Sequence, residues 1–204
     1  MHLIPTQDEV VALLRETGAL RDGHFEYPNG LHSNEYLQVP VAMRHSQDHR
    51  MLSVGLSRQL RANPEIRAIV PELSIVVPAT AGLPVAYGVC EALRAKQVYW
   101  AERDHDHDPL RFRQFIKPEK GEQVVLVDDI LRTGNKLSEL KGLLEAAGAT
   151  VIGLAVVIYQ PNPNTVDFGS LPLYYLAKLE ASYYADSNHC ELCKAGVPLQ
   201  KVWL

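Results

Sequence analysis

Three apolar, β-branched runs dominate the middle of this chain: SIVVPA at 74–79, QVVLVDD at 123–129 and TVIGLAVVIY at 150–159. Continuous runs of this length suit strands buried on both faces, and such strands belong to parallel sheets covered by helices. A fourth run, QVYWAE at 97–102, is as long as the first. The segments between them carry a helical period. In NKLSELKGLLEAAG, Leu137, Leu140, Leu144 and Ala147 recur at three- and four-residue steps, and Gly148 supplies the stop. AGLPVAYGVCEALRA at 81–95 suits a helix in the same way, with Pro84 near its first turn. Strand and helix alternating across short connections predict an α/β fold with a mostly parallel sheet flanked by helices.

The flanks are read from local signals. Thr6-Gln7-Asp8-Glu9 is a capping box opening a helix that carries Val10, Val11, Leu13 and Leu14 and stops at Gly18. GHFEYPNGLHSNEYLQV reads as a loop-rich segment around a Pro-Asn-Gly turn, and SQDHRMLSVGLSRQLRAN as a helix capped by Ser46. ERDHDHDPLRFRQF at 102–115 has no period and dense charge of both signs, which predicts a mobile loop. At 204 residues the chain suits a single domain. A net charge of −4 gives no global basic field, so neither nucleic acid nor a membrane surface is an expected partner. The N-terminus lacks a basic start and a long apolar stretch, and the three cysteines do not make a disulfide framework; a cytoplasmic protein is expected.

The chemistry concentrates in VVLVDDILRTGNK, residues 124–136. The C-terminal ends of parallel strands border the ligand crevice, which places Asp128 and Asp129 at its mouth. The turn that follows, Leu131 to Asn135, offers backbone N–H groups and a helix N-terminus, a site for phosphate. Gly134 lets the backbone approach closely, and Thr133 adds a hydroxyl donor. Carboxylates suit vicinal hydroxyls or a magnesium ion rather than phosphate. A sugar phosphate combines both demands within a few ångströms.

This stretch resembles the 5-phosphoribosyl-1-pyrophosphate (PRPP) motif of the type I phosphoribosyltransferases, in which β residues lead into two acids, two apolar residues and a small-Thr-Gly turn. TGALRDGHFEYPNGLHSNEYLQ resembles the N-terminal hood of the orotate phosphoribosyltransferases, VVPATAGLPVAYGV their pyrophosphate loop, and WAERDHDHDPLRFRQFIKPEKGEQVVLVDD their strand, flexible catalytic loop and return strand. VDFGSLPLYYLAKLEA and CELCKAGVPL resemble the C-terminal region of one bacterial branch of that family. The resemblance implies a type I fold with a hood over about 1–45, a PRPP-binding core over about 46–180 and a short tail at 181–204. It implies transfer of a phosphoribosyl group from PRPP to a ring nitrogen of a base, with release of pyrophosphate. Orotate leads as acceptor, in pyrimidine biosynthesis, with magnesium as cofactor and a homodimer as assembly. Asp128 and Asp129 would face the ribose hydroxyls, and Arg132, Thr133, Gly134, Asn135 and Lys136 would wrap the 5-phosphate. Ala79, Thr80, Ala81 and Gly82 would hold pyrophosphate through backbone N–H groups, with Arg103 at the next strand end. Arg111 and Arg113 would close as a lid. Phe25, Asn29, Gly30, Ser33 and Tyr36 would form part of the base pocket.

Two positions depart from the family pattern. The flexible loop usually carries a lysine, whereas this chain has His105-Asp106-His107-Asp108, so His105 and His107 are candidate cations or general acids beside the reading as a solvated loop. After TVIGLAVV the family commonly has an Asp-Arg pair whose arginine holds the orotate carboxylate; here Gln160 stands in that region, which brings in a different heterocyclic base as a rival acceptor. A PRPP-sensing regulator without catalysis is the alternative from another functional class. Cys190 and Cys193 read first as part of a plain polar tail. A zinc half-site is the alternative, since four ligands are needed and no second cysteine pair exists; remote or cross-subunit ligands would complete it. Redox chemistry ranks third. His24 and His32 flank the implied base pocket, as substrate contacts or as hydrogen-bonded structural histidines. Cys90 reads as core.

Overall fold

A computed structural model of the chain describes residues 4–105 and 108–202. In chain order the elements are α1 (Gln7–Glu16), β1 (Leu20–Glu26), β2 (His32–Leu37), α2 (Pro40–Met43), α3 (Ser46–Ala62), α4 (Pro64–Ile69), β3 (Ser74–Pro78), α5 (Leu83–Leu93), β4 (Gln97–Glu102), β5 (Arg111–Phe112), β6 (Gln123–Leu131), α6 (Asn135–Ala146), β7 (Thr150–Tyr159), β8 (Leu173–Lys178), β9 (Tyr183–Tyr184), α7 (Glu191–Lys194) and β10 (Gln200–Lys201). The main sheet has the order β5-β4-β3-β6-β7-β8. Its strands are parallel except the edge strand β5, which runs antiparallel to β4.

Period-two alternation divides the strand residues between two apolar layers. Ile75, Val77, Val125 and Val127 pack with Leu52, Leu56, Val85 and Val89 from α3 and α5. Val76, Val124 and Leu126 pack on the other face against Leu137, Leu140 and Leu144 of α6. Every residue of β3 is buried, as a strand covered on both faces must be. The capping box at Thr6 forms as the sequence implies, with Glu9 N–H donating to Thr6 Oγ1 and Thr6 N–H to Glu9 Oε2. Ser46 is instead the first residue of α3, and His45 precedes it without a side-chain cap. No helix among the described residues is long and apolar enough to cross a membrane.

Three segments differ from the sequence expectation. Residues 20–37 form a hairpin, β1 and β2, rather than a loop. Its register shifts between Asp22 and Phe25, so alternation is broken in the sequence. The 102–115 segment folds back as β5 on β4, a strand of two residues and too short for a period to register. The tail contributes β9 and β10, which pair with β2 and β1 and complete a second sheet in the order β10-β1-β2-β9.

Close helix approach depends on Gly88. A Cβ there would lie 2.1 Å from Ser53 Oγ and 2.7 Å from His49 Cε1, both on α3. Gly88→Val is therefore expected to lower stability by about 1–3 kcal/mol through overpacking, read as a reduced urea midpoint at unchanged slope.

Candidate functional site

Strand order places the site. The chain leaves β3 for β4 on one side and then returns to β6 on the other, so β3 and β6 are neighbours whose connections diverge. Such a switch point leaves a crevice at the C-terminal ends of the two strands. The loop 79–82 follows β3, and Asp128 and Asp129 lie near the end of β6. A Cβ on Gly82 would sit 2.6 Å from Asp128 Oδ1 and 3.2 Å from Asp128 Cα, so the two segments meet closely.

Both acids are largely buried, at 9% and 8% exposure. Asp128 Oδ1 accepts the N–H of Asp129 at 2.9 Å, and Asp129 Oδ1 accepts the N–H of Ile130 at 2.9 Å. Burial and then the neighbouring Asp129 charge hold Asp128 well above the usual carboxylate range, while Lys136 acts in the opposite sense. Burial also raises Asp129, opposed by its hydrogen bonds and by Arg132. Two desolvated carboxylates side by side suit a ligand that donates hydrogen bonds.

The turn after β6 has the shape of an anion cradle. Gly134 has φ 75° at the N-terminus of α6, a conformation that favours glycine, and a Cβ there would press on Phe168 at 3.0 Å. Thr133 is exposed, its carbonyl accepting from Val166 N–H at 2.8 Å, and its hydroxyl oxygen lies 3.5 Å from Asn135 N. Asn135 and Lys136 begin the helix, where N–H groups lack intrahelical partners.

On the β3 side, the Ala79–Thr80 peptide is cis. Ala79 N–H donates to the Ala101 carbonyl at 2.8 Å and so already has a partner within the protein. The N–H groups of Thr80, Ala81 and Gly82 have no acceptor among the described residues.

Arg132 turns away from the cradle. Its Nε donates to Gln160 Oε1 at 2.8 Å, its Nη2 to the Leu37 carbonyl at 3.1 Å, and its guanidinium carbon lies 5.7 Å from the centre of the Tyr27 ring. Gln160 is buried and also accepts from the Tyr183 hydroxyl at 3.0 Å. Sequence register explains the meeting. Leu131 pairs with Tyr159 across β6 and β7, so Arg132 and Gln160 both emerge just beyond the paired ends. Arg132 has no carboxylate within ion-pair distance among the described residues.

Tyr27, under this guanidinium, packs with Tyr36 of the hood and Tyr183 of the tail, with ring centres 6.0 Å apart for Tyr27 and Tyr36 and 6.5 Å for Tyr27 and Tyr183. Burial pushes the Tyr27 hydroxyl up to about 12, so it remains a donor at neutral pH. Tyr27 and Tyr183 were not legible as site residues, since Tyr183 arrives from a two-residue strand in the tail. Phe25 packs with Tyr27 and Val202 in the hood's own core. Asn29 and Gly30 form the hairpin turn, Asn29 Oδ1 accepting from Leu31 N–H and Gly30 having φ 80°. Ser33 is buried, and its hydroxyl oxygen accepts from Glu35 N–H.

The loop cations lie elsewhere. Arg103 is held by Glu139 of α6 and by the Asp108 carbonyl. Arg111 pairs with Asp104 and Arg113 with Glu102. Arg111 and Arg113 lie on or beside β5, three strand spacings from β6, or about 14 Å at roughly 4.8 Å per strand, whereas Arg103 follows β4, two spacings away. His105 is exposed, its N–H donating to Asp108 Oδ2 at 3.0 Å; His107 lies outside the described residues.

Comparison with known proteins matches this geometry. Residues 55–167 match a family described as the phosphoribosyl transferase domain. Over 193 residues the chain is 33% identical to an orotate phosphoribosyltransferase of Carboxydothermus hydrogenoformans, covering 95% of each chain. It is 34% identical over 197 residues to that of Pelotomaculum thermopropionicum, covering 96% of each. The fold is shared with the crystal structure of orotate phosphoribosyltransferase from Aeropyrum pernix, at TM-score 0.65 and 20% identity, covering 83% of this chain and 93% of that one. The chain belongs to the orotate phosphoribosyltransferase family of the phosphoribosyl transferases.

The raised Asp128 has a testable sign. Its folded carboxyl keeps its proton to higher pH than the unfolded chain's does. The folded state therefore binds more protons between the ordinary aspartate range and the raised value, and stability falls as pH rises through that window. Asp128→Asn is expected to raise the unfolding midpoint of the ligand-free protein near neutral pH, with the gain shrinking toward acid pH. The same variant should weaken PRPP binding by roughly 10- to 100-fold, one or two charge-assisted hydrogen bonds, measured by calorimetry.

Proposed function

We propose that this chain transfers the phosphoribosyl group of PRPP to orotate, forming orotidine 5′-phosphate and pyrophosphate. The observation that carries the acceptor assignment is Arg132, a guanidinium clamped by Gln160 and the Leu37 carbonyl over Tyr27 and without a carboxylate partner among the described residues. Orotate is a flat anion. A guanidinium beside aromatic rings offers its carboxylate charge-assisted hydrogen bonds and its ring a stacking surface. Gln160 thus positions an arginine supplied by the neighbouring strand, instead of being one. Residue 132 moves in this reading from the phosphate to the base.

The remaining residues divide the PRPP molecule. Asp128 and Asp129 accept hydrogen bonds from the ribose hydroxyls. Thr133, Gly134, Asn135 and Lys136 take the 5-phosphate at the start of α6. The N–H groups of Thr80, Ala81 and Gly82 face the pyrophosphate. In the reaction the bond from C1 to the pyrophosphate oxygen breaks as the bond from C1 to the base nitrogen forms; the electron pair leaves with pyrophosphate, and the proton of the base N–H is released and can be taken up by the departing pyrophosphate. Positive charge develops on the ribose, so the acids stabilise the sugar while the amides stabilise the leaving group. Magnesium fits as a companion of the PRPP substrate, because the pyrophosphate oxygens and the ribose hydroxyls would hold it beside the buried acids; when bound, it would neutralise charge on the departing pyrophosphate.

A homodimer belongs to the same proposal. Arg111 and Arg113 sit at the sheet edge, removed from their own acid pair, which leaves them able to serve a second copy.

The test is pyrophosphate release from PRPP and magnesium with orotate, with neutral bases as controls. Release with orotate is expected, and release only with a neutral base would overturn the acceptor. Arg132→Met should raise the KM for orotate by about 10- to 100-fold, the worth of a lost charge-assisted pair, while changing the KM for PRPP little. Gln160→Arg should also impair orotate use, since it places a second guanidinium against the first in a site only 1% exposed.

A further inference from the structure

Cys190 and Cys193 flank the turn that opens α7, and the tail carries both against the hood hairpin. There they meet His24 of β1 and His32 of β2, and one ligand atom from each of the four lies within 4.8 Å of all the others. Cys190 Sγ is 3.4 Å from His24 Nε2. Cys193 Sγ is 3.5 Å from His24 Nε2 and 3.4 Å from His32 Nδ1. The two ring nitrogens are 3.0 Å apart. A zinc tetrahedron with Zn–N of about 2.05 Å and Zn–S of about 2.3 Å has edges of roughly 3.3 Å between nitrogens and roughly 3.6 Å from nitrogen to sulfur. The four side chains are therefore already close to ligand spacing. His24, His32 and Cys190 are buried, and both cysteines are free of a disulfide.

The hydrogen-bond inventory favours a cation over a cluster of neutral groups. His24 Nδ1 lies 2.9 Å from the Val197 carbonyl, so it carries the proton and leaves Nε2 a single lone pair. Cys190, Cys193 and His32 all converge on that one lone pair, which can satisfy one strong donor. Deprotonated cysteines and lone pairs on both imidazoles around a divalent cation satisfy all four at once. The Val197 carbonyl behind His24 is then the outer-shell group that fixes the ring's tautomer and orientation.

We propose that His24 Nε2, His32 Nδ1, Cys190 Sγ and Cys193 Sγ form a tetrahedral structural zinc site joining the C-terminal tail to the hood. Four protein ligands fill the coordination sphere and leave no open position for a substrate or an activated water, which makes the site structural. Binding releases the thiol protons and couples metal to the ordering of the tail. The site lies beside the pairing of Phe25 with Gln200 and the packing of Val202 on Phe25 and Tyr27, so it holds the hairpin that presents Tyr27 and Tyr36. The two histidines flanking the implied base pocket thereby acquire a role away from the substrate.

The test measures metal, not phosphoribosyl transfer, so its outcome is independent of the acceptor assignment. The purified full-length chain, exposed to zinc and dialysed against metal-free buffer, should hold one zinc per chain by plasma mass spectrometry. Cys190→Ser and Cys193→Ser should each lose it. Should a serine variant fail to fold, cobalt exchange into the unaltered protein needs no variant. It should produce the intense visible bands of a tetrahedral site and the charge-transfer bands of cobalt–thiolate bonds. Protein that binds neither zinc nor cobalt while Cys190 and Cys193 react as free thiols would overturn the proposal, as would zinc retained in full by both serine variants.

Discussion

Asp128 and Asp129 place two carboxylates side by side at the end of a strand buried on both faces, and the surrounding structure answers that electrostatic cost. Backbone N–H groups of the next residues bond one oxygen of each acid. Lys136 and Arg132 stand near enough to oppose part of the burial effect, without forming ion pairs. What remains is a site whose charged state is unfavourable until a ligand supplies donors. Stability is conceded locally for binding, a common arrangement where titratable groups are held in a crevice. The close approach of Gly82 to Asp128 ties the 79–82 loop to the same point, so both halves of the crevice share one origin in the strand order.

A second constraint connects core and hood. Arg132 leaves β6 beside the acids and ends over Tyr27, spanning from the main sheet to the hairpin. Gln160 from β7 and Tyr183 from the tail fix its position. In the proposed reading, recognition of the base depends on three segments remote in sequence, and on the tail being seated. The metal site proposed between tail and hairpin acts on that seating, which gives a structural ion a route to the acceptor pocket without touching it.

Much of the core was legible because its signals are local and redundant. The β-branched runs, the helical spacing of Leu137, Leu140 and Leu144, and the DD-to-TG turn each occupy a short window, and burial on both strand faces makes the runs conspicuous. The hood was not legible in the same way. The bulge between Asp22 and Phe25 breaks the alternation of β1, and β5, β9 and β10 have two residues each, below the length at which a period exists. Assigning Arg132 to the phosphate followed from its place in the motif. Only side-chain direction, set by Gln160 and the Leu37 carbonyl, turns it to the hood.

The sequence by itself determined the parallel sheet, the position of the acid pair at the end of β6 and the glycine-bearing turn after it, because each depends on neighbours within a few residues. The partners of Arg132, the pairing of Ala79 N–H with the Ala101 carbonyl and the meeting of His24 and His32 with Cys190 and Cys193 were decided only by tertiary structure. Those contacts join positions up to 169 residues apart, and no local pattern encodes a distance of a few ångströms across such a separation. They exist because strand order and tail pairing close the chain on itself.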